Sequence, residues 1–446
     1  MPTLLARAAI VCVLLACACH AAPPSRTETP AQRQADAGAS LPVVGAVAPS
    51  VATALDPIAL DEGLLRAAQD HQAEFLRDLS MLVNIDSGTD DGDGLARVAG
   101  LLAERLGKLG AKVEVKPALP SVGKLVLGRF QGKGERSILL LAHLDTVFNH
   151  GEAARRPFRI EAERAFGPGV ADAKGGVALV LHALAILRAR GFTDYKMLTV
   201  VFNPDEEKGS AGSQELIQSL SREHDEVLSF EPPDGERVIV ATNGIAFVEL
   251  KVKGRASHAG AAPEKGRNAA LELAGQILQL KDLGDARKGT TVNWTLLHGS
   301  ERVNIIPEYA NATADMRMSD VSELERVQND ANRIVQKHFV PDTEVTVKVE
   351  PRRPPFARNP SSERLARLAQ RIYLGLGKTL EPVAMRYGTD AGFAYRPGSS
   401  KPAVLEGLGI VGDGLHTADE WADLASVTPR LYLAVRLVES SSFHGP

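Results

Sequence analysis

The chain has 446 residues, 44% of them hydrophobic and 24% charged, and a formal net charge of −4 at pH 7. That length exceeds what one hydrophobic core usually organises, so two or three folding units are expected. No Lys/Arg block interleaved with aromatic residues occurs, and a slightly acidic balance offers nothing to nucleic acid or to an anionic membrane surface.

Arg7 precedes an apolar stretch from Ala8 to Cys19, with small residues at Ala18 and Ala21. Such a stretch is too short to cross a bilayer as a stable helix, so residues 1–21 read as a secretory signal peptide and the expected location is periplasmic or secreted. All three cysteines, Cys12, Cys17 and Cys19, fall inside it, and the mature protein is expected to hold no disulfide. Leu14-Leu15-Ala16-Cys17 loosely resembles a lipobox; an ordinary cleaved signal is preferred to lipid attachment at Cys17. Residues 22–57 are rich in Ala, Pro, Ser, Thr and Gln without a sustained period, the composition of a flexible tether.

Apolar positions at spacings of three and four predict helices over Leu60 to Leu82 and Gly94 to Gly110, the second closed by Gly110 as a C-cap. Apolar runs of strand length follow at Lys124 to Phe130, Ser137 to Ala142, Met197 to Phe202 and Val227 to Phe230, with a helix from Gly175 to Arg190 between the second and third. Alternating strands and helices indicate an α/β domain with a largely parallel sheet, assigned to residues 58–241 and 353–446. Residues 242–352 have another texture. Val248, Leu250 and Val252 alternate with Glu249, Lys251 and Lys253, a strand with one wet face. A helix (Asn268 to Leu280), strands near Thr290 to Leu297 and Tyr309 to Met316, a helix (Val321 to Phe339) and a strand (Glu344 to Val349) complete β-α-β-β-α-β, a ferredoxin-like unit inserted into the larger domain. The last expected element is a helix around Val427 to Glu439.

Polar residues cluster just after the apolar runs: His143 and Asp145, Asp172, Glu206-Glu207, Glu231 and His416. Imidazoles and carboxylates are ligands of borderline-soft divalent metals, and adjacent glutamates can divide metal binding from proton transfer. Three strands thus deliver these groups to one carboxyl edge, where open α/β sheets bind ligands. Asp145, two residues from His143, suits the role of orienting a metal-bound imidazole. Taken singly, a His-x-Asp pair is most often an ordinary hydrogen-bonded pair, and Asp205-Glu206-Glu207 a solvated loop.

At Ala142-His143-Leu144-Asp145-Thr146-Val147, Gly167-Pro168-Gly169-Val170-Ala171-Asp172, Asp205-Glu206-Glu207-Lys208-Gly209-Ser210, Leu228-Ser229-Phe230-Glu231-Pro232, Ala256-Ser257-His258-Ala259-Gly260 and Asn304-Ile305-Ile306-Pro307, the chain resembles the co-catalytic zinc carboxypeptidases and aminoacylases. Within that family it is most similar to secreted glutamate carboxypeptidases that cleave folates. The resemblance runs from about Leu65 to Leu437 and implies two Zn2+ per chain: Asp172 bridging, His143 and Glu231 on one ion, Glu207 and His416 on the other, and Glu206 as the base. It also implies a homodimer in which His258 reaches the partner's active site, the substrate's terminal carboxylate held by Arg317 and Asn304, and a substrate-facing loop at Gly388 and Thr389. A cis peptide is implied after Asp172, where the family often has a second acid and this chain has Ala173.

The expected activity is removal of a C-terminal residue, glutamate above all, from an N-acyl substrate such as a folate or peptide. Aminoacylase, dipeptidase and desuccinylase activities share the same metal core, and an inactive substrate-binding protein is the alternative of another class. Among other histidines, His182 reads as a packed residue inside an apolar helix. His71, His150, His224, His298, His338 and His444 read as surface or capping residues without clustered partners.

Overall fold

The computed structural model describes residues 55–440; the expected signal peptide, Cys17 and nearly all of the expected tether lie outside the described residues, as does His444. Helices α1 (Glu62–Asp70), α2 (Gln72–Val83) and α3 (Gly92–Leu109) come first. Asp61 and Asp91 accept the amide protons of Leu64 and Gly94, satisfying first-turn N–H groups that a helix leaves unpaired. Gly110 ends α3 at φ 99°, the left-handed conformation that glycine adopts without steric penalty. The single helix expected over Leu60 to Leu82 is two, with His71 in the turn between them.

Strands β1 (Lys112–Pro117), β2 (Lys124–Gln131) and β3 (Ser137–His143), helix α4 (Lys174–Ala189), strand β4 (Met197–Asn203), helix α5 (Gln214–Glu223) and strand β5 (Glu226–Ser229) follow. After an inserted segment come α8 (Pro360–Gly375), β10 (Ala403–Leu405) and α9 (Val427–Glu439). The main sheet has the order β1-β2-β4-β3-β5-β10. β4, β3, β5 and β10 run parallel, and β1 and β2 extend the sheet antiparallel. β3 is buried throughout because both faces are covered. Ile138, Leu140 and Ala142 pack into the core that holds α1 to α4, α8 and α9, and Leu139 and Leu141 into a second core with Ile217 and Leu220 of α5. A strand's period of two divides its side chains in this way.

The inserted segment supplies β6 (Gly244–Lys253), α6 (Ala269–Leu280), β7 (Thr291–His298), β8 (Tyr309–Met318), α7 (Ser322–Ile334) and β9 (Glu344–Arg353). These form an antiparallel sheet of order β7-β8-β6-β9. Ala246, Val248, Leu250 and Val252 of β6 face a third core with α6 and α7. Helix α7 stops five residues before the expected Phe339, since the amides of Phe339 and Val340 turn to donate to the Glu272 carboxylate on α6. Among the described residues, no helix is long and apolar enough to cross a membrane.

Candidate active site

Parallel register sets the site. His143, the last residue of β3, lies beside Asn203, the last of β4, and Leu141 lies beside Ser229, the last of β5. The turns after β4 and β5 therefore bring Glu206, Glu207 and Glu231 to one edge with His143. Nε2 of His143 is 3.0 Å from Oδ1 of Asp172 and 3.5 Å from Oε2 of Glu231. Nε2 of His416 is 3.2 Å from Oδ2 of Asp172 and 3.1 Å from Oε2 of Glu207. Asp172 thus turns one oxygen toward each imidazole. The donor atoms of His143, Asp172 and Glu231 lie within 4.8 Å of one another, as do those of Asp172, Glu207 and His416.

Two buried carboxylates hold this arrangement from behind. Asp145 lies 3.3 Å from Nδ1 of His143, accepts from the hydroxyl of Thr89 at 2.8 Å, and accepts the amides of Glu206 and Glu207 at 3.1 and 3.2 Å. It therefore orients the imidazole and anchors the Glu206-Glu207 turn at once. Glu420 accepts the amides of Gly169, Ala171 and Asp172 at 2.9, 2.9 and 3.1 Å, fixing the loop that presents Asp172. The Asp172–Ala173 peptide is cis. His416 has φ 63°, a backbone region that non-glycine residues visit seldom and that clusters at functional positions.

Burial penalises charge at this edge, and the groups respond. Glu231 is pushed up to about 8, first by burial, which the His143 imidazole only partly opposes. Glu206 and Glu207 are raised by burial, against the pull of Arg353 and of His416 respectively. For His143, burial disfavours the charged ring, and the carboxylates of Glu231, Asp145 and Asp172 overcome it, lifting the imidazole well above its usual range. Hydrogen bonds to Asp172 and Glu207 lift His416 to about 10. Such shifts mark an edge rich in negative charge and short of compensating positive charge. The residues present fit a pair of divalent cations: the donors are imidazole nitrogens and carboxylate oxygens, and the buried Oε1 of Glu207 has no hydrogen-bond partner.

The other residues singled out in the sequence lie apart from this cluster or behind it. Ring Nδ1 of the exposed His258 accepts from the amides of Gly260 and Ala261. Asn304 is exposed, its carbonyl accepting from the amide of Ala259. Arg317, on β8, is forked onto Asp315 at 2.7 and 2.9 Å. Thr389 is buried and donates to Glu406 at 2.8 Å, and the Gly388 carbonyl accepts from Arg353 at 2.8 Å.

Arg353 was not legible as a site residue. It is the last residue of β9, is buried, binds the carboxylate and the backbone carbonyl of Glu206, and leaves Nε unpartnered. The one signal for it is an arginine at the point where the inserted segment rejoins the main domain. Its backbone pairs with Ile245, which on its other side pairs with Arg317. Directly paired residues share a sheet face, so both guanidiniums rise from the face opposite α6 and α7, two strand spacings or about 10 Å apart at their origins.

Several histidines do have partners. His71 meets His182, His150 meets Asp91 at 2.8 Å, and His338 meets Thr343 at 2.9 Å. His224 is buried, bonded to Thr199 and to the Leu220 carbonyl at 2.7 Å each. His182, Asp91 and Thr199 lie distant in the chain from their partners and Leu220 offers a backbone group, none of which sequence spacing reveals, while Thr343 is five residues from His338.

The chain is 39% identical over 382 residues to Carboxypeptidase G2 of Pseudomonas sp. (strain RS-16), covering 85% of this chain and 92% of that protein. It is 27% identical to the acetylornithine deacetylase of Edwardsiella ictaluri (strain 93-146), covering 77% and 90%. A tripeptidase from Staphylococcus aureus subsp. aureus mu50 shares the fold, with a TM-score of 0.69 at 21% identity over 83% of this chain and 98% of that one. The model of peptidase family M20/M25/M40 matches residues 139–440, a span that contains both triads of donors and Glu206, and the chain belongs to that family.

Proposed function

We propose that the protein is a zinc-dependent exopeptidase that releases C-terminal glutamate from N-acyl substrates such as folates or peptides. His143, Glu231 and Asp172 would hold one Zn2+, and Glu207, His416 and Asp172 the other. When bound, the two ions supply polarisation of the scissile carbonyl and a more acidic water. Glu206, adjacent in sequence to one donor and raised above the ordinary glutamate range by burial, accepts a proton from the attacking water and returns it to the leaving amine nitrogen. Asp145 keeps the His143 ring and the Glu206 amide in place for that transfer.

The pair of guanidiniums on one sheet face carries the substrate assignment. A terminal carboxylate lies only a few bonds from the scissile amide, so its anchor must sit near the base; Arg353 touches Glu206. Arg317, on the same row beyond Ile245, takes the side-chain carboxylate of glutamate. Each carries the planar fork that matches a carboxylate, held before substrate binds by Asp315 for Arg317 and by Glu206 and the Gly388 carbonyl for Arg353. The 39% identity to Carboxypeptidase G2 supports the same reading.

Residues 242–352 serve as a lid and dimerisation unit between the two catalytic segments 58–241 and 353–446. The exposed His258, whose ring accepts from neighbouring amides, and Asn304 act across that dimer at the partner's site, while Gly388 and Thr389 line the substrate loop. Residues 1–21 direct export to the periplasm or medium. The deciding experiment measures hydrolysis of folate, N-acetyl-glutamate and Ala-Glu, with zinc content per chain. Glutamate release from folate supports the reading; cleavage of acetylated amino acids or dipeptides alone replaces it with an aminoacylase or dipeptidase. Inactivity with fewer than two zinc ions per chain points to a binding protein.

A further inference from the structure

Away from the catalytic edge, another group of metal-type donors joins α2 to α4. His71, Glu74 and Asp78 recur at intervals of three and four residues along the turn and first part of α2, a spacing that aligns side chains on one helical face. That stripe meets His182 in the middle of α4. Nδ1 of His71 lies 3.1 Å from Nδ1 of His182. One ring nitrogen of each histidine and a carboxylate oxygen of Glu74 all fall within 4.8 Å of one another.

The far side of the His182 ring is already committed. Its Nε2 is 3.1 Å from Oδ2 of Asp78, an oxygen that also takes the Arg105 guanidinium. A carboxylate at Nε2 keeps the proton there and leaves Nδ1 as a bare lone pair aimed at His71. Burial first, and then the charges of His71, Arg105 and Arg77, push His182 down to about 4, so the ring is neutral, the form that binds metals.

Two arrangements bring the nitrogens this close: a single N–H···N hydrogen bond donated by His71, or a shared cation. The hydrogen bond gives Glu74 no function, because its pairing with Arg77 is exposed on both sides and 3.4 Å long, a kind of contact worth little in water. Two imidazole nitrogens on a tetrahedral zinc ion are about 3.3 Å apart, given Zn–N distances of roughly 2.0–2.1 Å. The observed spacing matches that geometry, and a carboxylate behind one imidazole is the usual support of a metal-bound histidine.

We propose that His71, His182 and Glu74 form a further divalent-cation site, independent of the catalytic pair, with Asp78 orienting His182. Two nitrogens and one carboxylate suit zinc or a similar borderline ion. His71 is half-buried and Glu74 exposed, so the remaining coordination position faces solvent. The ion would tie α2 to α4, the helix that starts two residues after Asp172, and would stabilise the fold by binding the native state alone.

The test compares wild type, His71→Ala and Glu74→Gln, each stripped with chelator, dialysed against zinc chloride, then washed and analysed for zinc per chain. Wild type is expected to retain one more ion per chain than either variant and to gain more in unfolding midpoint on adding zinc chloride. Turnover in the variants reports that the catalytic pair is filled and the fold intact. Equal zinc content in wild type and a folded His71→Ala overturns the proposal; if His71→Ala does not fold, equal content in Glu74→Gln overturns it.

Discussion

On the wet face of the second sheet, Lys251 and Glu249 lie 2.9 Å apart and Lys348 and Glu350 2.6 Å apart, with the lysines well exposed. At the carboxyl edge of β3, β4 and β5, Asp172, Glu206 and Glu231 are buried, with carboxylates outnumbering the nearby cationic groups. Water screens the first set, so its pairs add little and could be exchanged freely. The second set has no such screening, and only a ligand charge or a protein cation makes it tolerable. Similar residue types therefore shape a surface in one region and demand a cofactor in the other.

The sharpest way to break this contrast is Glu206→Gln, expected to lower kcat by at least roughly 10²–10⁴ while zinc content, measured in parallel, stays at the wild-type level. Near-normal turnover would remove Glu206 from the chemistry.

Arg353→Ala and Arg317→Ala come next, each expected to cost about 1.5–3 kcal/mol in kcat/KM, the scale of a charge-assisted hydrogen bond. The Arg353 penalty should shrink on substrates with an amidated terminus to the part that comes from its contacts with Glu206, and the Arg317 penalty should vanish when the terminal glutamate is replaced by glutamine. Equal penalties on all substrates would make either residue structural.

A smaller effect concerns pH. In chelator-stripped protein, Glu231 at about 8 and His416 at about 10 hold protons in the folded state that the unfolded chain has already released. The Glu231 contribution is complete below about pH 4.3, the ordinary glutamate value, and that of His416 below about pH 6.5. Each is lost as pH rises through the folded value. The unfolding midpoint of stripped protein should therefore fall from pH 5 to 9, and added zinc should flatten the slope. A midpoint that rises over that range would contradict the charge imbalance. The smallest change is expected for Lys251→Ala, which should leave the midpoint unaltered because the Lys251 ammonium is well exposed to water.

The strands and the donors of the main domain were legible because buried parallel strands are continuous apolar runs and their chemistry follows within a few residues: His143 ends β3, and Glu231 comes two residues after β5. Period-two alternation exposed β6, and heptad-like spacing exposed α6 and α7. Arg353, Glu420 and the His71–His182 contact were not legible. Each depends on a contact spanning 111 residues or more, Arg353 with Glu206 at a separation of 147, Glu420 with Asp172 at 248 and His71 with His182 at 111, so no local pattern announces them. β1, with largely exposed and polar positions, lacked the apolar run that revealed its neighbours, and the break at His71 follows from no glycine or proline.

One carboxylate, that of Asp145, grips both the imidazole that ends β3 and the two amides that open the turn after β4. Displacement of either arm must therefore be felt by the other, and substitutions in the two arms should be non-additive. Chimaeras between relatives would have to exchange the His-Leu-Asp segment and the paired-glutamate turn as a single block, whereas the Lys251–Glu249 and Lys348–Glu350 pairs can be traded piecemeal.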